Sequence, residues 1–292
     1  MNRDEILKAG KIASEVKSWI RPKVKKGAPL LELAEMIEKK IRDLKGGIAF
    51  PVNLSINEYA AHYTPSHDDD SSAHGLLKVD FGVEVGGWIA DNSFSTDLED
   101  SSLNKRLIKS TEEALENAEH VLSNDTSLGK IGEKIEETIK SHGFNVVANL
   151  SGHSMEQYDL HAGVTVPNVN NNSQAKIGEG LYAIEPFATD GKGLIHEGKK
   201  GNIFILQKDK NTRDSLGREI LEFIKDNYGS LPFASRWIVR EFGTRAILSL
   251  NHLENEGILY QYPVLTEEKG KFVAQSENTF LIEKGKVINT SK

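Results

Sequence analysis

Residues 76–94 read LLKVDFGVEVGGWIADNSF. Two extended runs flank Gly86-Gly87, a dipeptide suited to a two-residue hairpin turn. If Val85 pairs with Trp88, Asp91 faces Gly82 and Asp80 faces Ser93. The two aspartates then share one face as diagonal neighbours, with Cβ atoms within about 8 Å. Aspartate is poor in strand interiors, so two on one face of an apolar hairpin suggest a metal site. The competing reading is two ordinary surface groups. Two ions roughly 3.5–4 Å apart fit such a separation, and Gly82 leaves space opposite Asp91.

Around this hairpin the periodicity predicts four helices. Residues 4–20 place Ile6, Ala9, Ala13, Val16 and Ile20 on one stripe, with Gly10 as an interior irregularity and Arg21-Pro22 as the stop. A second helix starts near Pro29, carries Ala34, Ile37, Ile41 and Leu44, and ends at Gly46-Gly47. Residues 102–122 and 127–142 form the third and fourth. Strand patterns occupy 76–85, 88–96, 144–150, 181–187, 202–207, 270–275 and 279–288. The second and fourth helices are each followed by an apolar segment and a histidine-bearing stretch, which is consistent with a decayed duplication.

Residues 212–227, 234–241 and 243–256 read as three short helices. ILYQYPVLTEEKGKFVAQ, residues 258–275, then reads as a hairpin turning near Glu268 to Gly270. Helices plus a hairpin outline a winged-helix-like module. Its basic and acidic residues balance, which argues against tracking phosphates and favours a pocket-wall role.

With 292 residues, 38% of them hydrophobic, the chain can bury a core without staples. Asp and Glu number 43 against 36 Lys and Arg, a net charge of −7, unsuited to general nucleic-acid binding. The absence of cysteine excludes disulfides, thiolate zinc sites and cysteine nucleophiles. No run of 18 apolar residues or signal-like core occurs, so the expected address is the cytoplasm and no membrane contact is expected.

Further candidate ligands are His153 in SGHSMEQYDLHAG, Glu185 in LYAIEPFA and Glu277 in FVAQSENTFLI. Singly, each also fits a core histidine or a solvated acid. Together with Asp80 and Asp91 they offer four carboxylates and an imidazole, a set suited to divalent Mn, Fe, Co or Zn.

The segments NEYAAHYTP (57–65), KVDFGVEVGGWIADNSF (78–94), NLSGHSMEQYDLHAGVTVP (149–167), YAIEPFATDGKG (182–193) and YPVLTEEKGKFVAQSENTF (262–280) together resemble the type 2, archaeal and eukaryotic, methionine aminopeptidases over the whole chain. The resemblance implies the α/β pita-bread fold of the creatinases and aminopeptidases, with two similar halves around a curved antiparallel sheet. Residues 1–195 and 271–292 would form the catalytic domain. Residues 196–270 would be the type 2 insertion, for which the 92-residue step from Glu185 to Glu277 leaves room.

The resemblance also implies roles. Two divalent ions, Co, Mn, Fe(II) or Zn, would activate a water. Asp80 would bind one ion, His153 and Glu185 the other, and Asp91 and Glu277 both. His161 would donate to the scissile carbonyl or its oxyanion, and His62 would contact the substrate beside the scissile bond. Glu185 would carry the proton. Phe50 and Tyr262 would line the methionine slot, core packing being the plainer reading of both aromatics. The substrate would be a nascent peptide beginning with Met and a small second residue, met by a monomer in transient contact with the ribosome. The lack of a long charged N-terminal extension favours an archaeal source.

Two settings depart from the pattern. Glu277 sits in Gln275-Ser276-Glu277-Asn278-Thr279 in place of a Gln-Phe-Glu-His-Thr type, and Asp159 stands where a basic residue is common. The run His67 to Asp70 reads as a solvated loop. Prolidases and Xaa-Pro aminopeptidases share the implied fold, but the 79 residues before Asp80 are too few for their usual extra domain. A catalytically inactive, protein- or RNA-binding relative would be expected to lack some of the five ligands.

Overall fold

The computed structural model describes residues 1–292. Helices α1 (Arg3–Ile20) and α2 (Leu30–Asp43) lead into strands β1 (Gly47–Ile56), β2 (Tyr59–Ala61), β3 (Leu76–Val85) and β4 (Trp88–Asp97). Helices α3 (Ser102–Val121) and α4 (Leu128–Ser141) precede β5 (Asn145–Val146), β6 (Ser151–Met155), β7 (Thr165–Pro167), β8 (Gly180–Ile184), β9 (Phe187–Thr189) and β10 (His196–Leu206). Then come α5 (Ser215–Asn227), β11 (Phe233–Ala234), α6 (Ser235–Phe242) and α7 (Ala246–Asn255). The chain closes with β12 (Leu259–Thr266), β13 (Val273–Gln275), β14 (Asn278–Glu283) and β15 (Lys286–Asn289).

The expected stripe of α1 is buried, each large apolar side chain contributing about 1.5–3 kcal/mol. The Asn2 side chain caps the helix by accepting from the Glu5 amide. Gly10, the irregularity inside the stripe, has a packing reason: a Cβ there would lie 2.1 Å from the Thr290 carbonyl oxygen. The C-terminal segment therefore crosses α1 where the helix has no side chain.

Helices α1 and α2 cover the sheet β1-β3-β4, and α3 and α4 cover strands of the second half. The halves meet where Ser93 on β4 bridges Glu277, just before β14. Beside that bridge the Thr279 hydroxyl donates to the Asp91 carbonyl and accepts from the Asp91 amide. The result is one curved antiparallel sheet backed by two helix pairs, the pita-bread architecture, with a gap in the middle of its concave face.

Strand β1 was not among the expected strands. Register shifts between Ile48 and Phe50 and between Phe50 and Asn53 break its pairing with β3. Pro51 falls inside that break, where a missing amide is tolerated. Irregular pairing removes the period-2 pattern from which strands are read.

The winged-helix-like outline holds in its helices and fails in its wing. Helices α5, α6 and α7 enclose their own core, including Ile220, Ile224, Trp237 and Leu250, against Phe204 of β10. The hairpin expected over 258–275 does not form: β12 pairs with β10 and β2, whereas β13 pairs with β9. Each strand satisfies its backbone in a different sheet, so the turn near Gly270 links two sheets. No helix is long and apolar enough to cross a membrane.

Candidate metal centre

The hairpin has the register read from its turn. Val85 pairs with Trp88, Gly82 with Asp91 and Asp80 with Ser93, and Gly86 and Gly87 take φ of +59° and +84°. Asp80 and Asp91 therefore enter the central gap from one face. Gly82 differs from expectation in what its missing side chain admits. The Phe50 ring fills that space, and a Cβ on Gly82 would come 2.4 Å from it.

Strand β6 brings in His153, the end of β8 brings Glu185, and the link from β13 to β14 brings Glu277. Ligand atoms of Asp91, His153 and Glu277 lie within 4.8 Å of one another. The His153 Nε2 is 3.6 Å from Asp91 Oδ2 and from Glu185 Oε1. The Gln275 amide nitrogen reaches Glu185 Oε2 and Glu277 Oε2 at 3.4 Å each, and Asp80 Oδ1 is buried with no partner.

All nine residues singled out in the sequence line one cavity of about 90 Å³: Phe50, His62, Asp80, Asp91, His153, His161, Glu185, Tyr262 and Glu277. His161 stacks at a tilt on His153, ring centroids 4.4 Å apart. His62 sits edge-on to Tyr262 at 5.3 Å. It has φ +65°, a left-handed backbone that non-glycine residues seldom adopt and that turns up at functional sites.

Burial followed by mutual repulsion raises the Asp80, Glu185 and Glu277 carboxyls well above the ordinary range. Burial lifts Asp91 to about 7. His62, His153 and His161 are lowered to about 4, burial being the main cause. The cavity thus gathers acids that repel one another and imidazoles that stay neutral. That electrostatic state calls for divalent cations, and the oxygen and imidazole donors suit them. The residues present fit a metal centre, with Asp91, His153 and Glu277 at its core.

The family model described as metallopeptidase family M24 matches residues 4–231. The methionine aminopeptidase of Methanocaldococcus jannaschii is 41% identical over 99% of this chain and 98% of its own. The chain belongs to the methionine aminopeptidases of metallopeptidase family M24. Among solved structures, a thermophilic Arx1 superposes with a TM-score of 0.84 at 14% identity, covering 98% of this chain and 90% of its own. A Thermotoga maritima methionine aminopeptidase gives 0.71 at 19% identity, covering 99% and 96%. At such identities the likeness is one of fold.

Within this M24 chain, sequence reasoning missed several cavity residues. Asn53 lines the cavity opposite Asp80, with its amide nitrogen held by the Pro51 carbonyl at 3.0 Å and its oxygen unpartnered. Gln275 joins two of the acids. Both are polar residues inside apolar runs, the signal already used for Asp80 and Glu277, and it applied equally to them. Ile203 and Pro232, with Tyr262, bring residues 196–270 into the cavity wall.

The departures also have structural settings. Asp159 accepts from the His161 backbone amide at 3.1 Å. In the acidic run, Asp69 accepts from the Tyr63 hydroxyl at 2.6 Å and the Ser71 amide at 2.8 Å, so it organises its own loop.

Proposed function

We propose that this chain removes the N-terminal methionine of polypeptides by metal-dependent hydrolysis. The observation that carries the proposal is the buried set of four carboxylates and one imidazole in a single cavity, in a chain 41% identical to a methionine aminopeptidase over nearly its full length. The same identity favours methionine removal over cleavage at proline. The presence of the whole candidate ligand set favours an enzyme over an inactive relative.

Asp80, Asp91, His153, Glu185 and Glu277 would hold two divalent ions. Mn, Fe(II), Co and Zn all suit these donors. When bound, such ions supply Lewis-acid polarisation of the peptide carbonyl and of water. The remaining work falls to this chain's side chains. Gln275 orients Glu185 and Glu277 by donating to both. Glu185 takes the proton of the attacking water on its carboxylate. His161, neutral near pH 7, donates to the oxyanion growing on the scissile carbonyl. His62 contacts the substrate beside the scissile bond, where the amine departs.

Phe50, Leu160, Ile203, Pro232 and Tyr262 offer apolar walls to an unbranched methionine side chain. Residues 1–195 and 271–292 are assigned to the catalytic body. Residues 196–270 are assigned to an insertion that closes the slot. A second residue of small size, a monomeric enzyme, a cytoplasmic address and brief contact with ribosomes that supply nascent chains complete the proposal.

The test is methionine release from Met-Ala-Ser by chelator-stripped protein reloaded anaerobically with Mn, Fe(II), Co or Zn. Asp91→Ala and Pro-containing dipeptides run in parallel. Metal-dependent release that Asp91→Ala loses is the expected result. Bound metal without release would overturn the substrate assignment, and failure to bind any metal would overturn the centre itself.

A further inference from the structure

Two polar residues, Ser276 and Asn278, flank Glu277, and both are held by helices on the convex side of the sheet. The Thr111 hydroxyl on α3 lies 2.9 Å from the Ser276 hydroxyl. From the last turn of α1, the half-buried Lys17 ammonium donates to Asn278 Oδ1 at 3.2 Å and to the Glu277 carbonyl at 3.1 Å. The only other backbone partner of Glu277 is Ser93, whose reciprocal bonds are both long at 3.4 Å. Lys17 therefore supplies the shorter bond to the Glu277 main chain. It also brings a positive charge to the back of a cluster of four acids.

We infer that Lys17 is a positioning residue that sets Glu277 in place for metal binding, with Asn278 as the acceptor that steers its ammonium. The inference rests on the proposal that Glu277 is a metal ligand. Without Lys17 the Glu277 carbonyl keeps only its long bond to Ser93. The carboxylate on the same residue is then free to shift within a cavity where its neighbours repel it. Partners that orient metal ligands typically alter affinity 10–100-fold when removed. Asn278 is thus one half of a device whose other half, Lys17, sits on α1.

The test is titration of chelator-stripped wild type, Lys17→Met, Lys17→Arg and Asn278→Ala with Mn(II), following free Mn(II) by its paramagnetic resonance signal. The expected result for Lys17→Met is about tenfold weaker binding of the weaker-held ion. Lys17→Arg should recover most of the loss, and Asn278→Ala should fall between. Urea unfolding in chelator measures plain packing damage separately. A lowered unfolding midpoint with wild-type Mn(II) affinity would overturn the inference. If Lys17→Met does not fold, unchanged affinity in Asn278→Ala would do the same. Wild-type protein that binds no Mn(II) would refute the metal-centre proposal itself.

Discussion

Replacing Glu38 by Ala should cost this protein about 3–5 kcal/mol of stability. Glu38 on α2 and Arg236 on α6 form an ion pair with both side chains about 1% exposed. The second Glu38 oxygen accepts from the Trp237 indole at 3.0 Å. Arg236 also donates to the Thr64 hydroxyl at 2.7 Å and the Pro65 carbonyl at 3.0 Å. Removing Glu38 strands a buried guanidinium and a buried indole N–H together, which places the cost in the range for a broken buried pair and not for a surface one. At 1.4 kcal/mol per tenfold, that is roughly two to three and a half decades in the folding equilibrium.

The double variant Glu38→Leu with Arg236→Met should regain part of that loss, because no charge then remains buried, although the Trp237 indole N–H and the Pro65 carbonyl stay without partners. It should not regain activity. Arg236 pins Thr64 and Pro65, two and three positions after His62, and Met cannot. Urea unfolding of Glu38→Leu, Arg236→Met and the double variant gives the coupling energy, with Glu38→Ala measured beside them. Release of methionine from Met-Ala-Ser gives kcat/KM for the same samples. A Glu38→Ala cost under about 1 kcal/mol would mean that the pair behaves as a surface pair, and the argument from burial would be refuted. Full activity in the double variant would refute the claim that Arg236 supports the loop bearing His62.

Three further outcomes are expected. Gly82→Ala should displace the Phe50 ring, given the 2.4 Å approach of its Cβ; about 1–3 kcal/mol of stability is lost and KM for methionyl peptides rises, both readable from unfolding curves and steady-state kinetics. His161→Ala should lower kcat by about 10²–10³ if the ring donates to the oxyanion, with Mn(II) affinity little changed; a kcat within twofold of wild type would remove it from that role. For pH, Asp91 is raised from 3.8 to about 7 in the folded protein, so the folded state holds a proton that the unfolded state has released. Its contribution to metal-free stability therefore falls as pH rises from about 4 to 7. Metal-free Asp91→Asn should gain stability relative to wild type across that window, and added Mn(II) should reverse the order at pH 7. Parallel pH profiles of the two metal-free proteins would contradict this.

Much of the site was legible because its chemistry interrupts apolar patterns. Asp80, Asp91, Glu185 and Glu277 each stand in a strand-like run, where an acid is costly without a purpose. The two-residue turn at Gly86-Gly87 was short enough to determine pairing, and pairing determined which aspartates share a face. Strand β1 was hidden because irregular pairing around Pro51 erases its alternation, and with it went any position for Asn53. The false hairpin over 258–275 had good local turn chemistry. Local chemistry does not reveal which sheet edge a strand will meet.

By itself, then, the sequence determined what depends on neighbours along the chain: the helix stripes, the hairpin register and, through motif resemblance, the residues offered as candidate ligands. Tertiary structure decided what depends on elements far apart in the chain meeting in space. It placed Phe50 over Gly82, brought Ile203, Pro232 and Tyr262 to the cavity wall, and set Lys17 of α1 behind Glu277, 260 positions away. It also decided the charge states. Each carboxyl is ordinary on an extended chain; burial raises its proton affinity, joined at Asp80, Glu185 and Glu277 by the charge of neighbouring acids, in a cavity whose donors fit metal ions.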